Sequence, residues 1–276
     1  MPEATHDPAL YLKTLGQSGE GPFDIAEAAL MLSAFDHPNR PLKPFHDHLA
    51  EVAHTAKAEM RIATRVEDAA TALAAVIVSR FGYDGDRLSY ENPLNADFMS
   101  VIERRRGLPV ALGILYIHAA RAAALEASGL NAPGHFLLRI AFSGREAILD
   151  PFNNGAIVDR ERLSAPPAMA ADIGDEAGAA EPVTDAEVLL RLANNQKLRA
   201  LNAGDKIRAL EMARRMVLIA PRRAESWMEL ARLNEAAGSL GAAKKAYEVC
   251  LALAMPGDGL HNDAVLGLSG LKRQIN

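Results

Sequence analysis

The sequence predicts an α+β domain, a helical layer packed on a small antiparallel sheet, followed by an all-α domain of short helical repeats. Three observations carry this. Apolar residues recur at helical spacing through much of 24–125, two strand-like stretches at 135–142 and 145–152 flank Ser143-Gly144, and the C-terminal third repeats with a period near 34 residues. Between Ser164 and Pro182 the chain turns to Ala, Gly, Pro and acidic residues without hydrophobic periodicity, the composition of a linker. The expected division is 1–163, a linker at 164–183, and 184–276.

Residues 1–20 hold Pro2, Pro8, Gly16 and Gly19 and read as loop, with one short helix around Ala9 to Leu15. Asp24 places a capping carboxylate ahead of Ile25, Ala28, Ala29, Leu32 and Phe35, a stripe at helical spacing that Asn39 to Pro44 terminates. Further helices are expected over about 45–60 and 66–81; in the second, Ala69, Ala70, Leu73, Val76, Ile77 and Phe81 form the buried face. Gly82 to Asn92 is polar and turn-rich, and Pro93, Leu94, Asn95, Phe98, Val101 and Ile102 then suggest a short helix ending before Gly107. Pro109 suits the first turn of the next helix, where an N–H has no intrahelical partner to lose; Leu112, Leu115, Tyr116 and Ala119 carry that helix to about Leu125. HFLLRIAF and REAILDPF then form a hairpin about a tight turn, and Gly155 to Leu163 adds a short strand or a helical turn.

In the C-terminal third, Gly204, Ala209, Ala213 and Pro221 are answered by Gly238, Ala243, Tyr247 and Pro256, at separations of 34, 34, 34 and 35 residues. A small residue at the inter-helix turn, a second five positions later and a closing Pro give the period of tetratricopeptide repeats. Trp227, Leu230 and Ala231 fill the second copy, the first copy at 190–223 is weaker, and a helix over 263–275 caps the stack. Such stacks offer a concave surface to a peptide or helix. A protein or peptide partner is therefore expected through this domain, with Arg232, Asn234 and Lys244 as candidate contacts.

At 49% hydrophobic and 24% charged, 276 residues can bury a sizeable core. A net charge of -5 provides no general attraction to nucleic acid or anionic membrane, so neither is an expected partner. The single cysteine, Cys250, excludes an intramolecular disulfide framework and falls at a repeat packing position suited to a small apolar residue. The N-terminal MPEATHDPAL lacks a basic, apolar leader, and no stretch of about 18 apolar residues follows, so a cytoplasmic protein is expected. No motif calls for a cofactor or a metal, and none sets an oligomeric state.

With a two-residue turn, Phe142 faces Arg145 and Leu137 faces Asp150, which makes His135 and Asp150 diagonal neighbours on one face. A carboxylate beside an imidazole can orient the ring and stabilise its charged form, as acyl transfer requires. No nucleophile is obvious. Ser100, on the preceding short helix, is a weak substitute. The plainer reading has the pair bracing the hairpin through hydrogen bonds. His46 and His54 share a helix face while His48 is turned about 200° from His46, which disfavours a three-ligand metal site. Arg104-Arg105-Arg106 either pairs with local acids, the favoured reading, or binds an anion. Asn92 and Asn95 suit turn caps.

Taken together, Tyr90, Asn92-Pro93, Asn95, Arg105-Arg106-Gly107-Leu108-Pro109-Val110, Pro133-Gly134-His135-Phe136 and Asp150-Pro151-Phe152 resemble the SirB-type family, a transglutaminase-like domain followed by tetratricopeptide repeats. The resemblance spans the chain from about Phe23 and implies a papain-like core whose catalytic members place Cys at a helix start, His on one strand and Asp on the next. The family's histidine and aspartate fall on His135 and Asp150, while the cysteine falls near Pro109. Proline supplies neither a nucleophile nor an N–H for an oxyanion hole. The resemblance thus implies a catalytically inactive protein acting through its repeats. The alternative is an amide hydrolase or acyl transferase that uses His135 and Asp150, with an activated water in place of the thiolate.

Overall fold

The computed structural model describes residues 7–19, 21–132, 135–159 and 181–275. The chain forms two compact units, Gly21–Leu192 and Met1–Glu20 together with Ala193–Asn276.

Helix α1 (Pro8–Ser18) starts at Asp7, whose carboxylate accepts from the Ala9 and Leu10 amides, and belongs to the smaller unit rather than to the 1–163 segment expected from composition. The reason is a close approach. A Cβ at Gly16 would stand 2.1 Å from the Leu218 carbonyl oxygen, so only glycine lets α1 lie this near the end of a C-terminal helix.

In the larger unit, α2 (Ile25–Ala34) is capped by Asp24 as expected, its carboxylate accepting from the Glu27 amide at 3.1 Å. Next come α3 (Lys43–Glu59) and α4 (Val66–Ala74), and the turn after α4 widens into a π-helical stretch over Ala75–Arg80. The two-residue strands β1 (Asp84–Gly85) and β2 (Arg106–Gly107) pair in parallel on either side of α5 (Phe98–Arg104). Helix α6 (Pro109–Ala122) opens on its proline, as expected, and runs through the core with every residue from Val110 to Ile117 buried, as a helix covered on all sides must. It ends three residues before Leu125, because Ala124 takes the left-handed conformation at φ 62°.

The sheet is larger than a hairpin. Strands β3 (Glu126–Ala132), β4 (His135–Phe142), β5 (Arg145–Asp150), β6 (Ala156–Ile157) and β7 (Glu181–Val183) lie in the order β6-β5-β4-β3-β7 with antiparallel neighbours. Residues 181–183, expected as the end of the linker, pair instead with Gly129–Asn131 of β3. The rest of the expected linker lies outside the described residues. Between β4 and β5, Ser143 and Gly144 both have positive φ (50° and 75°), the pattern of a two-residue type I′ turn, and Phe142 pairs with Arg145 as expected. Phe136, Leu138 and Ile140 form one buried face of β4, and α6 rests against it: a Cβ at Gly113 would stand 2.2 Å from the Phe136 ring.

Helix α7 (Asp185–Asn202) contains the division between the units. Its first turn is fixed within the larger unit by Arg121 of α6, which donates to both Asp185 oxygens at 2.6 and 2.7 Å while its remaining donors reach the Phe23 and Ala127 carbonyls. The smaller unit continues with α8 (Lys206–Ile219), α9 (Ala224–Ala236), α10 (Leu240–Leu253) and α11 (Gly259–Ile275). Residues equivalent in the sequence repeat are equivalent in structure. Gly204 and Gly238 both turn the chain with positive φ (75° and 72°), and Ala209 and Ala243 are both fully buried. Ala213, Met228, Ala231, Tyr247, Cys250 and Leu271 join in one apolar core, so Cys250 packs as a small apolar residue. Trp227 is anchored through its indole N–H to the Pro221 carbonyl at 2.8 Å. Among the described residues no helix is long and apolar enough to cross a membrane.

Candidate functional site

The start of α6, His135 and Asp150 are the three corners of the expected site. Pro109 occupies the first helical position, and the preceding Leu108 amide donates to the Asn95 carbonyl at 3.0 Å. His135 opens β4 opposite Ala132, with its side chain exposed and its carbonyl accepting from Arg191 at 3.1 Å. Leu138 pairs with Leu149, the register expected from a two-residue turn, so His135 and Asp150 take the same parity in adjacent strands, as expected.

Asp150 ends β5 and is buried. One carboxylate oxygen accepts from the Phe152 and Asn153 amides at 2.9 and 3.1 Å, the other from the Asn153 side-chain amide at 2.5 Å, so it caps the 3-10 turn Pro151–Asn153. It also lies close enough to Tyr116 of α6 to add to the upward shift that burial imposes on that phenol. Among the described residues no hydrogen bond or ion pair joins His135 to Asp150. Both residues lie at neighbouring strand ends, and the hydrogen bonds of the Asp150 carboxylate go to the turn that follows it. Two surface clefts, of about 390 and 300 Å³, are lined by neither residue.

The motif residues between Tyr83 and Arg106 form one polar lattice around Asp150's turn. Asp86, 7% exposed, accepts from the Ser89 amide and hydroxyl at 2.9 and 2.6 Å and pairs with Arg104 at 3.1 Å. The Ser89 contacts, more than the Arg104 charge, hold its carboxyl down at about 2. Arg104 also donates to the Asn95 side-chain carbonyl at 2.9 Å, and the Asn95 amide group donates to the Ser89 carbonyl at 2.7 Å. Arg87 reaches across to the Phe152 carbonyl at 2.6 Å and Asn153 at 3.0 Å and lies over the Phe152 ring, which Tyr90 meets edge-on. Asn92 caps the following turn through the Leu94 amide, as expected. Arg106 stands 4.0 Å from Asp84, so two of the three consecutive arginines face local acids.

Arg105 differs. It terminates α5 in the left-handed conformation (φ 56°) and directs its guanidinium to His48 of α3 and to Tyr83, over whose ring it also lies. Burial first, and the Arg105 charge second, push the His48 ring down to about 4, so it is neutral near pH 7. His46 lies 2.8 Å from Glu27, and among the described residues no group of three side chains is arranged to hold a metal. Ser100 donates its hydroxyl to Asp97, which also accepts from the Ser100 amide and Ser33 and lies 3.1 Å from His37. The Ser100 hydroxyl is thus committed to Asp97, the cap of α5. In the smaller unit Asn234 is 2% exposed, with its amide group bonded to the Leu230 carbonyl, which removes it as a surface contact. Arg232 pairs with Asp263 at 2.8 Å, and Lys244 is exposed near Glu248. Tyr83, Asp86 and Arg87 are the site residues that sequence reasoning missed. Their signal was the charged pattern YDGDR inside a stretch read only as turns.

Comparison with known proteins agrees with the core. A family model described as the Transglutaminase-like superfamily matches residues 43–194. A UPF0162 protein of Xylella fastidiosa is 29% identical over 155 residues, covering 54% of this chain and 55% of that protein. A UPF0162 protein of Vibrio cholerae is 32% identical over 145 residues, 51% of this chain and 53% of its own length. F-box only protein 21 of Mus musculus is 33% identical over 95 residues, 34% of this chain but 15% of that protein. The chain thus spans about half the length of the UPF0162 relatives it matches. With the family model covering more than half of its length and the helical layer resting on an antiparallel sheet, the chain belongs to the transglutaminase-like superfamily.

Proposed function

We propose that the chain is a catalytically inactive transglutaminase-like protein of SirB type that acts as an interaction or regulatory module through C-terminal tetratricopeptide repeats. The observation that carries this is the arrangement of the three expected catalytic positions: Pro109 begins α6, the His135 side chain is exposed, and Asp150 is engaged in capping residues 152 and 153. An aspartate held this way neither orients nor charges an imidazole. The 34-residue equivalence of Gly204 with Gly238 and of Ala209 with Ala243 supports the repeat assignment, and the peptide-accepting surface follows from that assignment.

The exposure of His135 favours a second reading, in which an accessible imidazole serves a hydrolase or acyl transferase through an activated water. One comparison separates the two. Peptide amide and ester turnover is measured for the full chain and for His135→Ala, with folding monitored by circular dichroism; the module reading expects no difference, and a turnover abolished by the substitution sinks it. On the repeat side, Arg232→Glu and Lys244→Glu should weaken a partner identified by cross-linking to α9 or α10, and full retention of that partner by both variants refutes the repeat surface.

A further inference from the structure

Helix α1 precedes the larger unit in sequence and yet packs in the smaller one. Its fit there is specific. Leu12 is fully buried and Leu15 is 8% exposed, whereas Leu10, on the far side of the helix, is 59% exposed. Gly16 lets the backbone close onto the end of α8: a Cβ there would stand 2.1 Å from the Leu218 carbonyl oxygen, 2.7 Å from the Pro221 ring and 2.9 Å from the Ile219 carbonyl oxygen. An isolated helix of 11 residues is marginal in water, so α1 owes its helicity to the surface beneath it. Past its end, a Cβ at Gly19 would meet nothing within 4 Å, so the chain leaves that surface as soon as the helix stops. The end of α8 therefore orders a short helix and reads three positions of it, two leucines three residues apart and the glycine after them. This is helix-in-groove recognition with the ligand supplied by the same chain.

We propose that the end of α8, from Leu218 to Pro221, is a docking site for a partner helix, and that α1 is its autoinhibitory occupant. The partner it fits is a short amphipathic helix with α1's own pattern, Leu-x-x-Leu-Gly. Its leucines take the places of Leu12 and Leu15, and its glycine takes the place of Gly16. The glycine sets the specificity, because a larger residue there collides with backbone carbonyl oxygens, and no change of rotamer relieves that. Tethering gives α1 a high effective concentration, so the site is closed to weak ligands and opens to a matching helix once α1 is released. The site lies on α8, apart from Arg232 of α9 and Lys244 of α10, and its test is independent of theirs.

The test opens the site in the full chain. Gly16→Val lifts α1 off α8, since its side chain has no room beside the Leu218 carbonyl, and Leu12→Asp releases the helix by a different route. A fluorescently labelled synthetic peptide of residues 7–19 is added to wild type and to both variants, and anisotropy gives the Kd. The expected result is saturable binding to both variants and at least about tenfold weaker binding to wild type, whose own helix competes. The same peptide carrying Gly16→Val is expected to bind the opened chains about tenfold more weakly than the unaltered one. Equal affinity for wild type and the variants, no binding to either variant, or undiminished binding of the valine peptide each overturn the site. Circular dichroism follows folding, and loss of the helical signal of the smaller unit in both variants overturns it as well, because α1 would then be part of the core rather than a displaceable occupant.

Discussion

Replacing His48 should make the protein less sensitive to acid. In the folded chain its ring titrates near 4, whereas in the unfolded chain it returns to 6.5. As pH falls below 6.5 the unfolded state takes up the proton first, so stability present above that value is lost progressively down to about 4 and then levels off. Each pH unit between the two midpoints is worth about 1.4 kcal/mol, and the interval therefore amounts to about 3.5 kcal/mol. Partial exposure of the ring reduces this to about 2 kcal/mol. Urea unfolding of wild type and His48→Gln, in buffers free of phosphate and carboxylate, measures it. The difference between the two stabilities should change by that amount between about pH 7 and about pH 4, which cancels the carboxylates common to both proteins. Parallel pH profiles for the two proteins would refute the assignment of a neutral, desolvated His48.

Gly113→Ala should destabilise the larger unit by about 2 kcal/mol in urea unfolding, because the new methyl meets the buried Phe136 ring with no room to move it. Asp86→Asn should cost about 2 kcal/mol by weakening the partners of Ser89 and leaving Arg104 short of its counter-charge; since the folded carboxyl stays ionised down to about 2, the wild-type contribution is present above the ordinary 3.8 and disappears only as pH falls from there towards 2. Asp150→Ala should cost about 1 kcal/mol, the value of a lost cap, whereas His135→Ala should remain within about 0.5 kcal/mol of wild type; thermal unfolding of the two variants tests the separation of roles directly.

Local signals were legible in the sequence. Asp24 before its apolar stripe, Pro109 at a helix start, Ser143-Gly144 between two strands and the spacing of Gly204 with Gly238 each needed only a few neighbouring residues to be read. Strand β3 was missed because EASGLNA carries no β-branched or aromatic residue; its pairing depends on being flanked by β4 and β7 rather than on its own preference. Strand β7 was hidden at the edge of a low-complexity stretch. The placement of α1 rests on a contact between Gly16 and Leu218, far apart in sequence and silent locally. For the same reason Asp86 and Arg87 read as turn residues: their partners Arg104 and Phe152 lie 18 and 65 residues away. The candidate site was legible as a set of residue types. The parity of His135 and Asp150 was legible too, but the partners of Asp150 were not, because its carboxylate turns to the amides of the 3-10 turn that follows it.

The two ends of the sheet bear on how this chain can meet others. Its outermost strands are β6, two residues long, and β7, three residues with Pro182 in the middle. Proline has no N–H to offer a further strand, and so short a ladder holds an incoming one weakly. Among the described residues both margins of this sheet are therefore poor templates for strand addition, which guards it against edge-to-edge aggregation.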